Sequence, residues 1–221
     1  QLLGPISGAA YSYMALVPII QPPIMKVLTT PKERVIRMAP IKKSVSPQTK
    51  LLFPIVVTLV TGLIAPKGLP LMGTIMLGNF MRECAVVTRL QKASENEIAN
   101  VVTLFLGLAI GGTMEGHAFL KPATLMIFAM GFVAICLDTV AGVLFGKLVC
   151  WMTGGKVNPL IGAAGISAFP MAARVVQAQG QLYDKKNHLL MHAAGVNTGG
   201  QIGSVVAAAV MLSVLKGMGL I

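Results

Sequence analysis

The chain has 221 residues, of which 55% are hydrophobic and 11% charged, with a mean hydropathy of +0.77. Soluble domains carry about 25% charged residues, so this composition excludes an ordinary soluble enzyme and a disordered chain, and points to a protein dissolved in a bilayer. The 18 Lys+Arg outweigh 7 Asp+Glu, a net charge of +11. With 5% aromatic residues there is little for bases to stack on, so the excess reads as basic loops facing an anionic cytoplasmic leaflet, not as a nucleic-acid surface.

A spanning helix needs about 20 mostly apolar residues. Residues 2–28 supply the first, interrupted by Pro18, Pro22 and Pro23. The sequence starts at Gln1 inside this apolar run, without a signal-peptide pattern, and reads as a fragment that begins mid-protein. Residues 26–50 carry Lys26, Lys32, Arg34, Arg37, Lys42, Lys43 and Lys50 against Glu33 alone, and are expected to form a basic cytoplasmic loop. Residues 51–65 and 71–87 are the next apolar runs, and the second contains Asn79, Arg82 and Glu83. A polar stretch, 89–100, precedes a short apolar run, 98–112. Residues 123–149 are the longest clean span, with one acid, Asp138, and with Lys147 and Trp151 at its interface end. After residues 158–174 and a polar stretch, 177–188, the last apolar run is 189–220. The expectation is an all-α polytopic membrane protein, a single domain over 1–221 with five or six transmembrane helices. Residues 158–174 add a re-entrant or broken element. Cys84, Cys136 and Cys150 form no metal or redox spacing and read as packing residues.

Three places carry candidate chemistry. In 158–174, Pro159 and Pro170 break helices, while Asn158, Ser167 and the freed carbonyls offer the hard oxygens a small cation prefers. A hinge with capping side chains explains the same residues equally well. Arg174 closes the element, and its planar guanidinium suits a carboxylate or a ureido carbonyl. In 195–203, Gly195, Gly199 and Gly203 allow close helix packing. Packing leaves Asn197, Thr198 and Gln201 unexplained in the middle of a span, where polar groups usually face a pathway. The segment is expected to be a second discontinuous ion-site element. Tyr11 and Tyr13 lie mid-span, and a Tyr bonded to a neighbouring helix is the simpler reading there.

The stretches Tyr11 to Pro23, Asn158 to Gly165 with Pro170 to Arg174, and Ala194 to Ala209 resemble the beta subunits of the sodium-pumping biotin-dependent decarboxylases. These act on oxaloacetate, methylmalonyl-CoA or glutaconyl-CoA. The resemblance implies the C-terminal half of such a subunit. The family's intramembrane aspartate, on a re-entrant element of the other half, has no counterpart here, and Asp138 does not replace it. What is implied is decarboxylation of carboxybiotin coupled to outward Na+ transport, in one half of an inverted-repeat, transporter-like fold. Carried over by position, Asn158, Gly162, Ser167 and Asn197 match the family's Na+ site, Tyr13 its pathway tyrosine, and Arg174 its arginine for carboxybiotin. Ser167, Arg174 and Tyr13 are thus the expected catalytic residues. Implied partners are a biotin-bearing carboxyltransferase alpha subunit, a small gamma-type membrane subunit and further copies of the chain, as a trimer. The implied location is a bacterial or archaeal cell membrane, with several passes. The competing class is a Na+-coupled carboxylate transporter that catalyses nothing.

Overall fold

The computed structural model describes residues 3–39, 45–112, 116 and 120–219, and among these it contains helices and no strand. In chain order the helices are α1 (Leu3–Leu28), α2 (Pro31–Arg34), α3 (Pro47–Ile64), α4 (Leu69–Cys84), α5 (Thr88–Ala93), α6 (Ala99–Gly112), α7 (Pro122–Met152), α8 (Met171–Tyr183) and α9 (Leu190–Gly217). Three of them, α3, α7 and α9, are long and apolar enough to cross a membrane. At about 1.5 Å per residue, the 31 residues of α7 reach about 46 Å, beyond the roughly 30 Å hydrocarbon core. The surface of α7 carries exposed Leu125, Met126, Phe132, Leu137 and Phe145, the apolar exterior that lipid requires.

The chain divides into two compact units. The first comprises Gln1–Pro40 and Ala109–Gln201, the second Ile41–Leu108 and Ile202–Ile221. In the first, α1 packs on α7 and α8. It stays helical despite Pro18, Pro22 and Pro23, each of which removes an N–H and so frees the carbonyl four residues earlier. One face compensates: Val17, Ile20, Gln21 and Met25, at helical spacing, are buried.

Between α7 and α8 the backbone is irregular. Gly154 and Gly155 adopt φ of +64° and +82°, the left-handed region that ends α7. A short 3-10 turn, Pro159–Ala164, follows and packs along α7, with Leu160, Ala163 and Ala164 in the core with Val143 and Val176. Residues 165–170 lead, through a cis Phe169–Pro170 bond, into α8. The backbone from 153 to 170 is thus not α-helical, and the helix after it continues through the polar stretch as far as Tyr183.

The second unit is simpler. Ser46 caps α3, its Oγ accepting the Thr49 N–H at 3.2 Å. A 3-10 turn, Pro66–Gly68, links α3 to α4, which packs back along it. Met72, Met76, Ala65 and Thr61 are buried there. Glu83 pairs with Lys50 at 3.4 Å rather than with its neighbour Arg82. A π turn, Ser94–Ile98, joins α5 to α6, so residues 89–100, polar in sequence, are largely helical.

Two expectations change here. Residues 195–203 do not interrupt the last span: α9 is continuous through them. Glycine costs a helix about 1 kcal/mol but, unlike proline, removes no donor. The basic segment 26–50 is not all loop. Its described part holds the end of α1, all of α2 and the start of α3, while residues 40–44, with Lys42 and Lys43, lie outside the described residues.

Candidate ion site at a broken helical element

Asn158 opens the broken element and is fully buried. Its Oδ1 accepts the Leu160 N–H at 2.9 Å, which caps the 3-10 turn. Its Nδ2 donates to the carbonyls of Arg34 and Ile36, at 3.1 and 2.8 Å. Asn187, equally buried, donates to the same two carbonyls at 3.1 and 3.2 Å. Two carboxamides thus clamp the segment that follows α2. The turn runs so close to α7 that a Cβ on Gly142 would collide with the Gly162 carbonyl. Gly162 is accordingly a close-packing residue, its carbonyl also accepting the Gly165 N–H at 3.0 Å.

On α9, Asn197 is fully buried and its Nδ2 donates to the Ile166 carbonyl at 2.7 Å. Its Oδ1 has no hydrogen-bond partner among the described residues. One turn further on, a Cβ on Gly200 would overlap the Gly165 carbonyl group. The backbone of Gly165 and Ile166 therefore lies against α9 at Asn197 and Gly200, with Ser167 next in sequence. Ser167 itself is exposed, as is Thr198, whose hydroxyl bonds back to Ala194 at 2.9 Å. A buried carboxamide oxygen without a donor is costly, and that of Asn197 is an uncharged hard oxygen left open where α9 meets this backbone.

The structure does not gather every expected residue at this point. Asn158 is engaged with the Arg34–Ile36 backbone. Tyr13 packs on α7, where its hydroxyl is directed at the carbonyls of Ile127 and Phe128, at 2.7 and 2.8 Å, with its ring edge-on to Phe128 at 6.2 Å. Arg174 lies in the first turn of α8 and is exposed. Asp138 is exposed on α7. Glu115 and His117, the acid and imidazole of the glycine-rich stretch after α6, lie outside the described residues. Gln21 is a buried polar residue outside the expected set. Its signal was the same as that of Asn197, a carboxamide inside an apolar span.

The segment between α1 and α3 is anchored by charge. Arg34, although basic, is buried: it donates to the Lys26 carbonyl at 2.5 Å, the Thr29 hydroxyl at 2.9 Å and the Thr29 carbonyl, and its guanidinium lies over the Tyr183 ring at 4.8 Å. Lys147 donates to the Leu28 carbonyl at 3.1 Å and pairs with Glu33 at 3.6 Å. Burial pushes the Glu33 carboxyl up, but the Thr30 backbone and hydroxyl donors and Lys147 outweigh it and hold it below the usual carboxylate range. Arg37 pairs with Asp184 at 2.5 Å. That hydrogen bond, with the Lys186 N–H, holds the Asp184 carboxyl down and raises Arg37.

A helical chain with three helices long and apolar enough to cross a bilayer, and with a largely apolar exterior, is a membrane protein. The chain belongs to the family of Na+-transporting oxaloacetate decarboxylase beta subunits, whose family model matches residues 1–215. It is 52% identical over 218 residues to the oxaloacetate decarboxylase beta chain of Klebsiella pneumoniae, covering 99% of this chain and 50% of that one. It is 52% identical over 212 residues to the methylmalonyl-CoA decarboxylase subunit beta of Propionigenium modestum, covering 96% and 53%. With the corresponding Veillonella parvula subunit the identity is 50% over 215 residues, covering 97% and 57%. The expectation of a C-terminal half is corrected: the family match runs over residues 1–215, nearly the whole chain, and assigns it to no particular half. The chain spans about half the length of the curated relatives it matches.

Proposed function

We propose that this chain belongs to a membrane subunit that decarboxylates carboxybiotin and couples that step to outward Na+ transport. The observation that carries the reading is the orphaned, buried oxygen of Asn197, whose nitrogen is held on the Ile166 carbonyl, in a chain so similar to beta subunits of Na+-transporting decarboxylases. Na+ binds along the broken element, with Asn158, Gly162, Ser167 and Asn197 as its site residues. Asn197 offers the free oxygen, while Asn158 and Gly162 also shape the turn. Arg174, exposed at the start of α8, grips the carboxyl or ureido oxygens of carboxybiotin presented by a partner subunit. The carboxyl carbon–nitrogen bond breaks, CO2 leaves, and a proton goes to the ureido nitrogen. Na+ beside Ser167 polarises its hydroxyl and eases delivery of that proton, and Tyr13 borders the path.

The fold we propose has five or six spans, with α1 and the shorter helices α4 and α6 adding to α3, α7 and α9. It forms one half of an inverted-repeat arrangement. Its partners are a biotin-bearing carboxyltransferase alpha subunit, a small gamma-type subunit and two further copies of itself, in a bacterial or archaeal cell membrane. The test uses the complete complex in liposomes, measuring CO2 release and 22Na+ movement together. CO2 release that requires Na+ and is abolished in Ser167→Ala supports the reading. Full Na+-dependent decarboxylation in Ser167→Ala overturns the coupling step, and Na+-driven carboxylate uptake without CO2 release favours the transporter. Arg174→Lys is expected to raise the KM for carboxybiotin with Na+ affinity unchanged.

A further inference from the structure

Gln21 sits on the packed face of α1 with no exposed surface. Its Nε2 donates to the Ala163 carbonyl at 2.7 Å, and its Oε1 has no hydrogen-bond partner among the described residues. Asn197 repeats the pattern from α9: the nitrogen on a carbonyl of the broken element at the same distance, the oxygen unpartnered and buried. The two carboxamides engage carbonyls three residues apart, Ala163 and Ile166. Stapling α1 to the element explains the nitrogen of Gln21 and leaves its oxygen unexplained. A dry, unpaired carbonyl is destabilising, and Gln21 shares the buried face of α1 with Val17 and Met25. Because the nitrogen is fixed, the oxygen is fixed with it, so the group presents a preorganised, uncharged hard donor. A cation stripped of water takes such oxygens.

We propose that Gln21 Oε1 is a Na+ ligand, so that α1 forms part of the ion site. This rests on the reading that the broken element holds Na+. It also gives α1 a direct part in the transport cycle: Na+ joins α1 to the 163–166 backbone, and its departure leaves that junction to one hydrogen bond.

The test measures the thermal midpoint of the full-length subunit in detergent at pH 8, in NaCl against choline chloride. Gln21→Met removes both ends of the amide. Gln21→Glu removes the donor and keeps the oxygen. If Gln21 is a ligand, Gln21→Met needs about tenfold more Na+ for half-maximal stabilisation, the loss expected for one ligand of ordinary strength, whereas Gln21→Glu is stabilised by Na+ at least as strongly as the wild type. An unchanged half-maximal Na+ concentration in Gln21→Met, whatever its starting stability, overturns the proposal. So does a Gln21→Glu protein that no concentration of Na+ stabilises. Asn197→Leu separates the two levels. If it abolishes the Na+ response while Gln21→Met keeps it, the ion site stands and the role of Gln21 falls. If the wild type itself does not respond to Na+, the underlying reading falls.

Discussion

The two units bury different chemistry. Among the described residues the first buries the side chains of Gln21, Arg34, Asn158, Asn187 and Asn197 with three threonines, and the second buries one polar side chain, Thr61. An apolar interior is the default for helices in lipid, and each buried amide must find partners or destabilise the fold. The second unit follows the default, with Met72 and Met76 packed between α3 and α4. The first departs from it at two stretches of backbone: Gln21 and Asn197 meet the carbonyls of Ala163 and Ile166, and Asn158 and Asn187 meet those of Arg34 and Ile36. The buried carboxamides therefore follow the irregular backbone, whose carbonyls lack helical donors.

The difference is most sharply tested at the two clamping asparagines. Asn158 and Asn187 share the Arg34 and Ile36 carbonyls, so either alone keeps those acceptors satisfied. Asn158→Ala still orphans the Leu160 N–H and is expected to cost about 2 kcal/mol. The double variant with Asn187→Ala leaves both carbonyls dry and is expected to cost about 5 kcal/mol, more than the sum of the single changes. Denaturant unfolding of the four proteins measures the coupling, and strict additivity would show that the shared acceptors do not matter.

A single methyl group comes next. In the first unit, Gly142→Ala drives a Cβ into the Gly162 carbonyl, a backbone atom that cannot rotate away. About 2 kcal/mol of destabilisation is expected. The same change in the second unit has the opposite sign. Gly73 lies within α4 with nothing near the place of its Cβ, so Gly73→Ala is expected to stabilise by about 0.5–1 kcal/mol through helix propensity alone. Thermal midpoints that moved in the same direction would remove the contrast between the units.

Parts of this were legible from residue order. The 31-residue helix α7 follows from a long run with one acid, and the broken element from Pro159, Pro170 and the glycines between them. Asn197 stands out because nothing in helix packing requires an amide there. Other features were hidden for physical reasons. Gln21 lies among prolines, and the prolines drew attention to the backbone rather than to the side chain between them. Asn187 falls in a polar stretch that composition assigns to solvent, yet it is fully buried, because its partners are carbonyls more than 150 positions away in sequence. The continuity of α9 was hidden too: several glycines weaken a helix by small amounts, and whether they break it depends on the face they pack against. Arg34 belongs by sequence to the basic segment expected to orient the chain, yet its guanidinium is engaged inside the fold with Thr29, the Lys26 carbonyl and Tyr183.

The smallest expected effect lies at the edge of the first unit, where polar groups meet water. Asp184 is held by Arg37 and by the Lys186 N–H, and its carboxyl titrates below the usual range. A carboxyl lowered in the folded state contributes stability above its unfolded pKa of about 3.9. That contribution fades as the pH falls through the folded value and is absent below both. Asp184→Asn is therefore expected to lower stability slightly at neutral pH and to flatten the acid limb of the stability curve, with the two proteins converging at the lowest pH. Arg37 is well exposed, so raised salt should shrink the neutral-pH difference as well. The buried clamp a few residues away obeys neither lever, because Asn158 and Asn187 carry no charge to titrate or to screen. A salt or pH dependence in the asparagine variants comparable to that of Asp184→Asn would mean that the clamp acts through the surface ion pair rather than through its own hydrogen bonds.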